Sequence, residues 1–170
     1  MDREEIRPNI TLMVGLPGSG KSTAVRHIMS NLNGREYIVL SPDEELLAMG
    51  EAEGLNYAES NRKYGFQKAE KIFMDQLKNA LAARKNIIVD RTNLMIGIRD
   101  MLLRDVPVEY TKTAVICEVE TEELQIRLAD REKQTGKIIP QKLLTEMIAA
   151  YQPPDHPEFD YIKRVQFVSK

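Results

Sequence analysis

Nine residues, Gly15-Leu16-Pro17-Gly18-Ser19-Gly20-Lys21-Ser22-Thr23, constrain this chain more than any others. They fit the pattern G-x-x-x-x-G-K-[ST], and their flanks fit it too. The apolar run Ile10 to Val14 precedes them as a strand, and a helical run from Lys21 to about Asn31 follows. Strand, glycine-rich turn and helix in that order aim backbone N–H groups inward at a helix N-terminus, where the peptide dipoles add partial positive charge. Such a turn is a cradle for phosphate. The spacing places Lys21 to reach the β- and γ-phosphates and the Ser22 hydroxyl to ligate Mg²⁺, with Gly15, Pro17, Gly18, Ser19, Gly20 and Thr23 forming the rest of the cradle.

The rest of the chain repeats the alternation. Strands are expected at Ile10–Val14, Tyr37–Leu40, Ile87–Asp90, Thr113–Glu118 and Arg164–Val168, with helical stretches between them. That order argues an α/β fold: a parallel sheet of about five strands with helices on both faces. Ser41-Pro42-Asp43-Glu44 reads as a helix start, with Ser41 as N-cap, Pro42 at the first helical position and Glu44 closing a capping box. A long helix is expected from about Tyr57 to Arg84, since Phe66, Ala69, Phe73, Leu77, Ala80 and Leu81 recur at three and four residues. Further helices are expected over Ile96 to Arg104, Glu122 to Lys133 and Pro140 to Tyr151. Gln152 to Asp160 holds three prolines and reads as loop. The whole chain, 1–170, reads as one domain behind a loose tail of about nine residues.

In sheets of this kind the ligand lies beyond the carboxyl ends of the strands. Three strand ends carry polar groups there. The first is the glycine-rich turn. The second is Asp43, a candidate general base, because phosphoryl transfer to an alcohol needs a carboxylate near the attacking hydroxyl; an acid in a first helical turn is also what the dipole alone would favour. The third is Asp90-Arg91-Thr92-Asn93, where an apolar strand ends in an acid that can hold Mg²⁺ through water, touch the acceptor, or simply cap the turn. Arg127 and Arg131 are four apart and share a helix face ahead of the basic turn Lys133-Gln134-Thr135-Gly136-Lys137. That arrangement reads as a helical lid delivering an arginine to a transferring phosphoryl group, against the alternative of a surface pair such as Glu123 with Arg127.

Composition excludes several classes. A net charge of −2 gives no general basic character for indiscriminate nucleic-acid binding. Asp2, Glu4 and Glu5 stand where a signal peptide would be apolar, and no apolar run approaches membrane-spanning length, so a cytoplasmic protein with no membrane association is expected. The single Cys117 lies in an apolar stretch and reads as a core thiol. His27 and His156 have no metal-site spacing, and Arg62, Lys63, Lys68, Lys71 and Lys78 read as a solvated helix face.

The phosphate loop, the Ser41-Pro42-Asp43-Glu44 turn, Asp90-Arg91-Thr92-Asn93-Leu94, the Arg127…Arg131…Gly136-Lys137…Pro140 lid and Glu158-Phe159-Asp160-Tyr161-Ile162 together resemble the kinase domain of polynucleotide 5′-kinases and related P-loop kinases, from about residue 9 to 168. The resemblance implies the P-loop kinase fold, ATP and Mg²⁺ as cofactors, and transfer of the γ-phosphate to the 5′-hydroxyl of a DNA or RNA end. It implies Asp43 as base, Lys21 and Ser22 on phosphates and Mg²⁺, Arg131 on the transferring phosphate with Arg127 nearby, and Asp90, Thr92 and Asn93 near the acceptor. Two departures concern the acceptor. The phage enzymes carry a phosphate-binding arginine three residues after the base, where this chain has Leu46; and their third strand-end acid aligns with Asp90 or with Arg91. Arg91 or Arg99 is the expected substitute for the missing contact. A nucleoside, nucleotide or other small metabolite is the alternative acceptor, and a nucleotide-dependent switch or slow ATPase is the reading from another class.

Overall fold

The computed structural model describes residues 7–32 and 34–167. Five strands, β1 (Asn9–Val14), β2 (Tyr37–Leu40), β3 (Asn86–Val89), β4 (Thr111–Glu118) and β5 (Tyr161–Gln166), form one sheet in the order β2-β3-β1-β4-β5. Every adjacent pair is parallel. Parallel neighbours need crossover connections, and helices supply them. They are α1 (Lys21–Ser30), α2 (Pro42–Glu51), α3 (Tyr57–Tyr64), α4 (Phe66–Ala82), α5 (Ile96–Leu103), α6 (Thr121–Thr135) and α7 (Gln141–Ala149).

Strand β1 is buried on both faces, and alternate residues feed two cores. Ile10, Leu12 and Val14 join Ile87, Val89, Ala114 and Ile116 beneath Phe73 and Leu77 of α4 and Leu102 and Leu103 of α5. Met13 turns the other way, with Ile88, Val115 and Cys117, against Ala24 and Val25 of α1. The helices therefore lie on both faces, and the loop after β1 emerges at mid-sheet between the ends of β3 and β4. Among the described residues no helix is long and apolar enough to cross a membrane.

Four expectations need correction. The long helix over 57–84 is two helices, α3 and α4, parted at Gly65, whose φ of 77° is left-handed. All six apolar positions that carried the periodicity lie after that glycine, whereas α3 starts independently with a capping box between Asn56 and Glu59. At α2 only half the expected box forms: the Ser41 hydroxyl accepts from the Glu44 N–H at 3.4 Å, without the reciprocal bond. The last strand begins at Tyr161 rather than Arg164, because its ladder pairs Tyr161 with Thr113; Val168 lies outside the described residues. The tail is not loose up to residue 9: Pro8 is buried, its carbonyl accepts from Thr111 N–H, and Asn9 is in β1, while residues 1–6 lie outside the described residues.

Candidate active site

The loop between β1 and α1 is shaped by glycines that nothing else could replace. A Cβ on Gly15 would lie 2.5 Å from Ser19 Oγ and 2.7 Å from the Cys117 carbonyl oxygen. Gly20 begins α1 at a left-handed φ of 97°, which only glycine takes without strain. Gly15 N–H bonds to the Thr92 carbonyl at 3.0 Å, so Thr92 fastens the loop to the end of β3 through its backbone. Pro17 is buried, and Gly18 packs beneath Leu124 and Leu128 of α6. Thr23 lies one position beyond Ser22 and accepts from Arg26 at 3.3 Å.

The Lys21 ammonium reaches back over the loop to the carbonyls of Gly15 at 3.0 Å and Leu16 at 2.8 Å. Burial pushes its pKa down to about 8, against the pull of Asp90. Ser19 Oγ is buried there with no hydrogen-bond partner among the described residues. A buried orphan hydroxyl and a desolvated ammonium inside a cradle of N–H groups suit a phosphate that would satisfy both. Ser22 Oγ lies 3.4 Å from Asp90 Oδ2, a hydroxyl beside a carboxylate just past β3. These are hard oxygen donors and fit Mg²⁺, which is commonly held by one or two protein oxygens, water and phosphates. Burial raises the Asp90 carboxyl above its ordinary value despite Lys21 and Ser22.

Asp43 stands in the first turn of α2, aimed by the Ser41 cap and Pro42. Its Oδ1 accepts from the Tyr57 hydroxyl at 2.8 Å, and its Oδ2 pairs with Lys137 from the turn after α6. Burial pushes this carboxyl up, but the Lys137 ammonium and the Tyr57 hydroxyl outweigh it and hold it below the ordinary range. Arg131 is half-buried on α6 and close enough to Lys21, Asp43, Tyr57, Asp90 and Lys137 to perturb the titration of each. Three cations and two carboxylates thus gather over the loop.

The other sequence candidates lie elsewhere or act differently. Arg127 bonds Glu123 at 2.7 Å, the Gly18 carbonyl at 3.3 Å and the Phe167 carbonyl, so it ties α6 to the loop and to the chain after β5. Arg91 pairs with Glu70 at 2.6 Å over the ring of Phe73. Asn93, at a left-handed φ of 47°, is buried beneath the loop and donates to the Met13 carbonyl at 2.7 Å. Arg99 is fully buried, in a two-point pair with Glu158 and in bonds to the carbonyls of Asn93, Leu94 and Gln152. The structure does not bring Arg99 to the loop, and Leu46 is fully buried as well. Neither arginine therefore stands free as an anion contact. Tyr57 carries no sequence signal that singles it out, whereas Lys137 was visible as the lysine of the Gly-Lys turn without its partner being so. Beside the loop, Leu16, Leu94, Ile116, Val119, Ile148 and Tyr151 line an apolar cleft of about 190 Å³.

Residues 10–154 match the AAA domain family. The chain is 29% identical over 163 residues to heterogeneous nuclear ribonucleoprotein U-like protein 2 of Mus musculus, across 93% of this chain and 21% of that protein. It thus spans about a fifth of the length of that relative. In structure it is similar to a chain of the Pnkp1/Rnl/Hen1 RNA repair complex, with a TM-score of 0.65 and 24% identity over 88% of this chain and 45% of that one. It is similar also to Kti12 of Chaetomium thermophilum in complex with ADP-AlF3, with a TM-score of 0.67 and 14% identity over 93% and 89% of the two chains. At these identities the likeness to the solved structures is one of fold.

Proposed function

The chain belongs to the AAA domain family and has the fold of the P-loop kinases, and from that premise we propose that it is an ATP- and Mg²⁺-dependent phosphotransferase acting on the 5′-hydroxyl end of DNA or RNA. The observation that carries the reading is Asp43. A carboxylate placed in the first turn of α2 by the Ser41 cap, and close enough to Asp90 beside the phosphate loop to raise its pKa, is what an attacking hydroxyl needs and what a nucleotide switch does not.

In this reading the loop N–H groups and Lys21 hold the β- and γ-phosphates. Ser22 and Asp90 would hold Mg²⁺, which would supply charge neutralisation on the phosphates. Asp43 accepts the proton of the acceptor hydroxyl as its oxygen bonds to the γ-phosphorus and the bond to ADP breaks. Arg131, on the lid helix, balances the charge that spreads over the transferring group. The apolar cleft beside the loop takes the flat face of a nucleobase. A cytoplasmic setting accords with ATP use and with a free, buried Cys117.

Support for a nucleic-acid acceptor comes from the ordered motifs and from relatives named for RNA repair and for a ribonucleoprotein. A small-metabolite acceptor is the second reading. It is favoured by the burial of Leu46 and by the internal pairing of Arg91 and Arg99, which keeps these two arginines from an acceptor phosphate. The deciding experiment incubates the protein with Mg²⁺ and γ-labelled ATP beside 5′-hydroxyl DNA, 5′-hydroxyl RNA, nucleosides or no acceptor, in wild type and Asp43→Asn. Label on oligonucleotide ends that is lost in Asp43→Asn, with nucleotide affinity retained, supports the proposal. Label on nucleosides alone moves the acceptor to a metabolite; free phosphate alone moves the protein to an ATPase; undiminished transfer by Asp43→Asn removes Asp43 as base.

A further inference from the structure

Lys137 has no part in the transfer as described so far, yet it makes the closest contact to the base. It stands in the turn between α6 and α7, directly after Gly136, which ends α6 in a left-handed conformation. The turn is seated on the start of α3: a Cβ on Gly136 would lie 3.2 Å from the Asn56 amide. From there the Lys137 side chain, only 10% exposed, pairs with Asp43 Oδ2 and lies 4.3 Å from the centre of the Tyr57 ring. Tyr57 holds Oδ1. Both oxygens of the base therefore carry a donor from the protein itself.

That arrangement bears on a problem every phosphotransferase has. Water is also a hydroxyl, it is abundant, and it is small enough to enter any site built for an alcohol. A site that exposes its base before the acceptor arrives will hydrolyse ATP. Acceptor binding energy can drive a rearrangement that assembles the site, and water cannot supply that energy.

We propose that Lys137 masks Asp43 until an acceptor lifts the lid turn from it, so that the site selects an acceptor hydroxyl over water. This rests on the reading of Asp43 as general base. In the unmasked, acceptor-free site a water oxygen bonds to the γ-phosphorus, the bond to ADP breaks, and the water proton passes to Asp43 Oδ2. With Lys137 in place that oxygen carries an ammonium donor and its basicity is reduced. The groups that face Asp43 are Lys137 from the lid turn, Tyr57 from α3, Arg131 from α6, and Asp90 from the end of β3. Removing the Lys137 charge leaves burial as the leading influence on Asp43 and moves its pKa upward.

The test measures acceptor-free ATP hydrolysis with Mg²⁺ in wild type, Lys137→Met, Lys137→Arg, Asp43→Asn and the Asp43→Asn/Lys137→Met double variant, with thermal melting and ATP affinity alongside. Masking predicts that Lys137→Met hydrolyses ATP about tenfold faster or more, a modest part of what a general base supplies. The acid limb of its pH–rate profile moves to higher pH. Lys137→Arg stays near wild type, and the double variant loses the gain. Hydrolysis by a folded, ATP-binding Lys137→Met at or below the wild-type rate overturns masking, and Lys137→Gln repeats the test if the methionine variant melts early. A gain that persists in the double variant also overturns it. Undiminished transfer to an acceptor by Asp43→Asn removes the base itself, an outcome read in a separate assay and so distinct from failure of the mask.

Discussion

If Lys21 holds the nucleotide phosphates as proposed, nucleotide affinity should depend on pH in a direction fixed by the burial of its ammonium. In the nucleotide-free protein its pKa is pushed down to about 8 by burial, with Arg131 and Lys137 adding to the effect against Asp90. Phosphates bound beside it favour the charged form and raise that value. Above pH 8 the free protein has lost a proton that the complex retains, so binding takes one up and weakens as pH rises. With a free-state pKa of about 8, the protonated fraction falls from about 0.9 at pH 7 to about 0.1 at pH 9, an affinity loss of about tenfold or about 1.4 kcal/mol. The assay is titration calorimetry of ATP with saturating Mg²⁺ between pH 7.5 and 9.5, in two buffers of different ionisation heat. Phosphate second ionisation, near pH 6, is then complete. Cys117, pushed up to about 11, stays protonated throughout. Lys137 is also shifted downward by burial, so the control is Lys21→Arg, which stays charged across the range. The expected result is a falling affinity with proton uptake in wild type and a flat profile in Lys21→Arg. A flat wild-type profile refutes the buried, carbonyl-bound Lys21; the same fall in Lys21→Arg assigns the titration to another group.

Two further predictions concern charge. Arg131→Ala should lower turnover by about 10³ with a much smaller change in nucleotide affinity, the scale of arginine losses at transferring phosphates; a wild-type rate in steady-state transfer would return Arg131 to the surface of α6. Glu158→Ala leaves the fully buried Arg99 guanidinium without its carboxylate, a loss of about 3–5 kcal/mol that lowers the melting temperature by roughly 6–20 °C for a domain of this size. Calorimetric melting within a degree or two of wild type would show that Arg99 is satisfied by the three carbonyls alone.

What the sequence disclosed divides along the range of the interactions involved. The phosphate loop, the α2 start and the five strands are local patterns: a glycine turn between an apolar run and a helix, a Ser-Pro-Asp cap, short apolar stretches set apart by polar ones. Each was readable within a dozen residues, and each is in the structure: β2 and the α2 start where they were read, the other strands with ends shifted by at most three positions. The break at Gly65 was equally local and was missed for a specific reason. The apolar spacing that argued for one helix belongs wholly to α4, whereas the polar stretch of α3 carries its own start signal in Asn56 and Glu59.

Polar residues at strand ends were harder, because the same composition serves two ends. Asp90, Arg91, Thr92 and Asn93 looked like one constellation, yet β3 ends in a turn that sends them in different directions. Asp90 goes to Ser22, Arg91 to Glu70, the Thr92 carbonyl to Gly15, and Asn93 beneath the loop to Met13. Arg99 differs from a substrate-facing arginine only through Glu158, which lies 59 residues later in the proline-rich loop. Asp43 and Lys137 are 94 residues apart and meet only because α6 and its turn fold over α3. A buried charge is decided by partners that burial brings together, so a motif can say which residues are able to do chemistry while the packing decides which are left free to do it. At this site that distinction separates Arg131, which among the described residues has no close ion pair, from Arg91, Arg99 and Arg127, which are held inside the fold. It also makes Lys137, rather than any of those three arginines, the cation an acceptor would meet first on reaching Asp43.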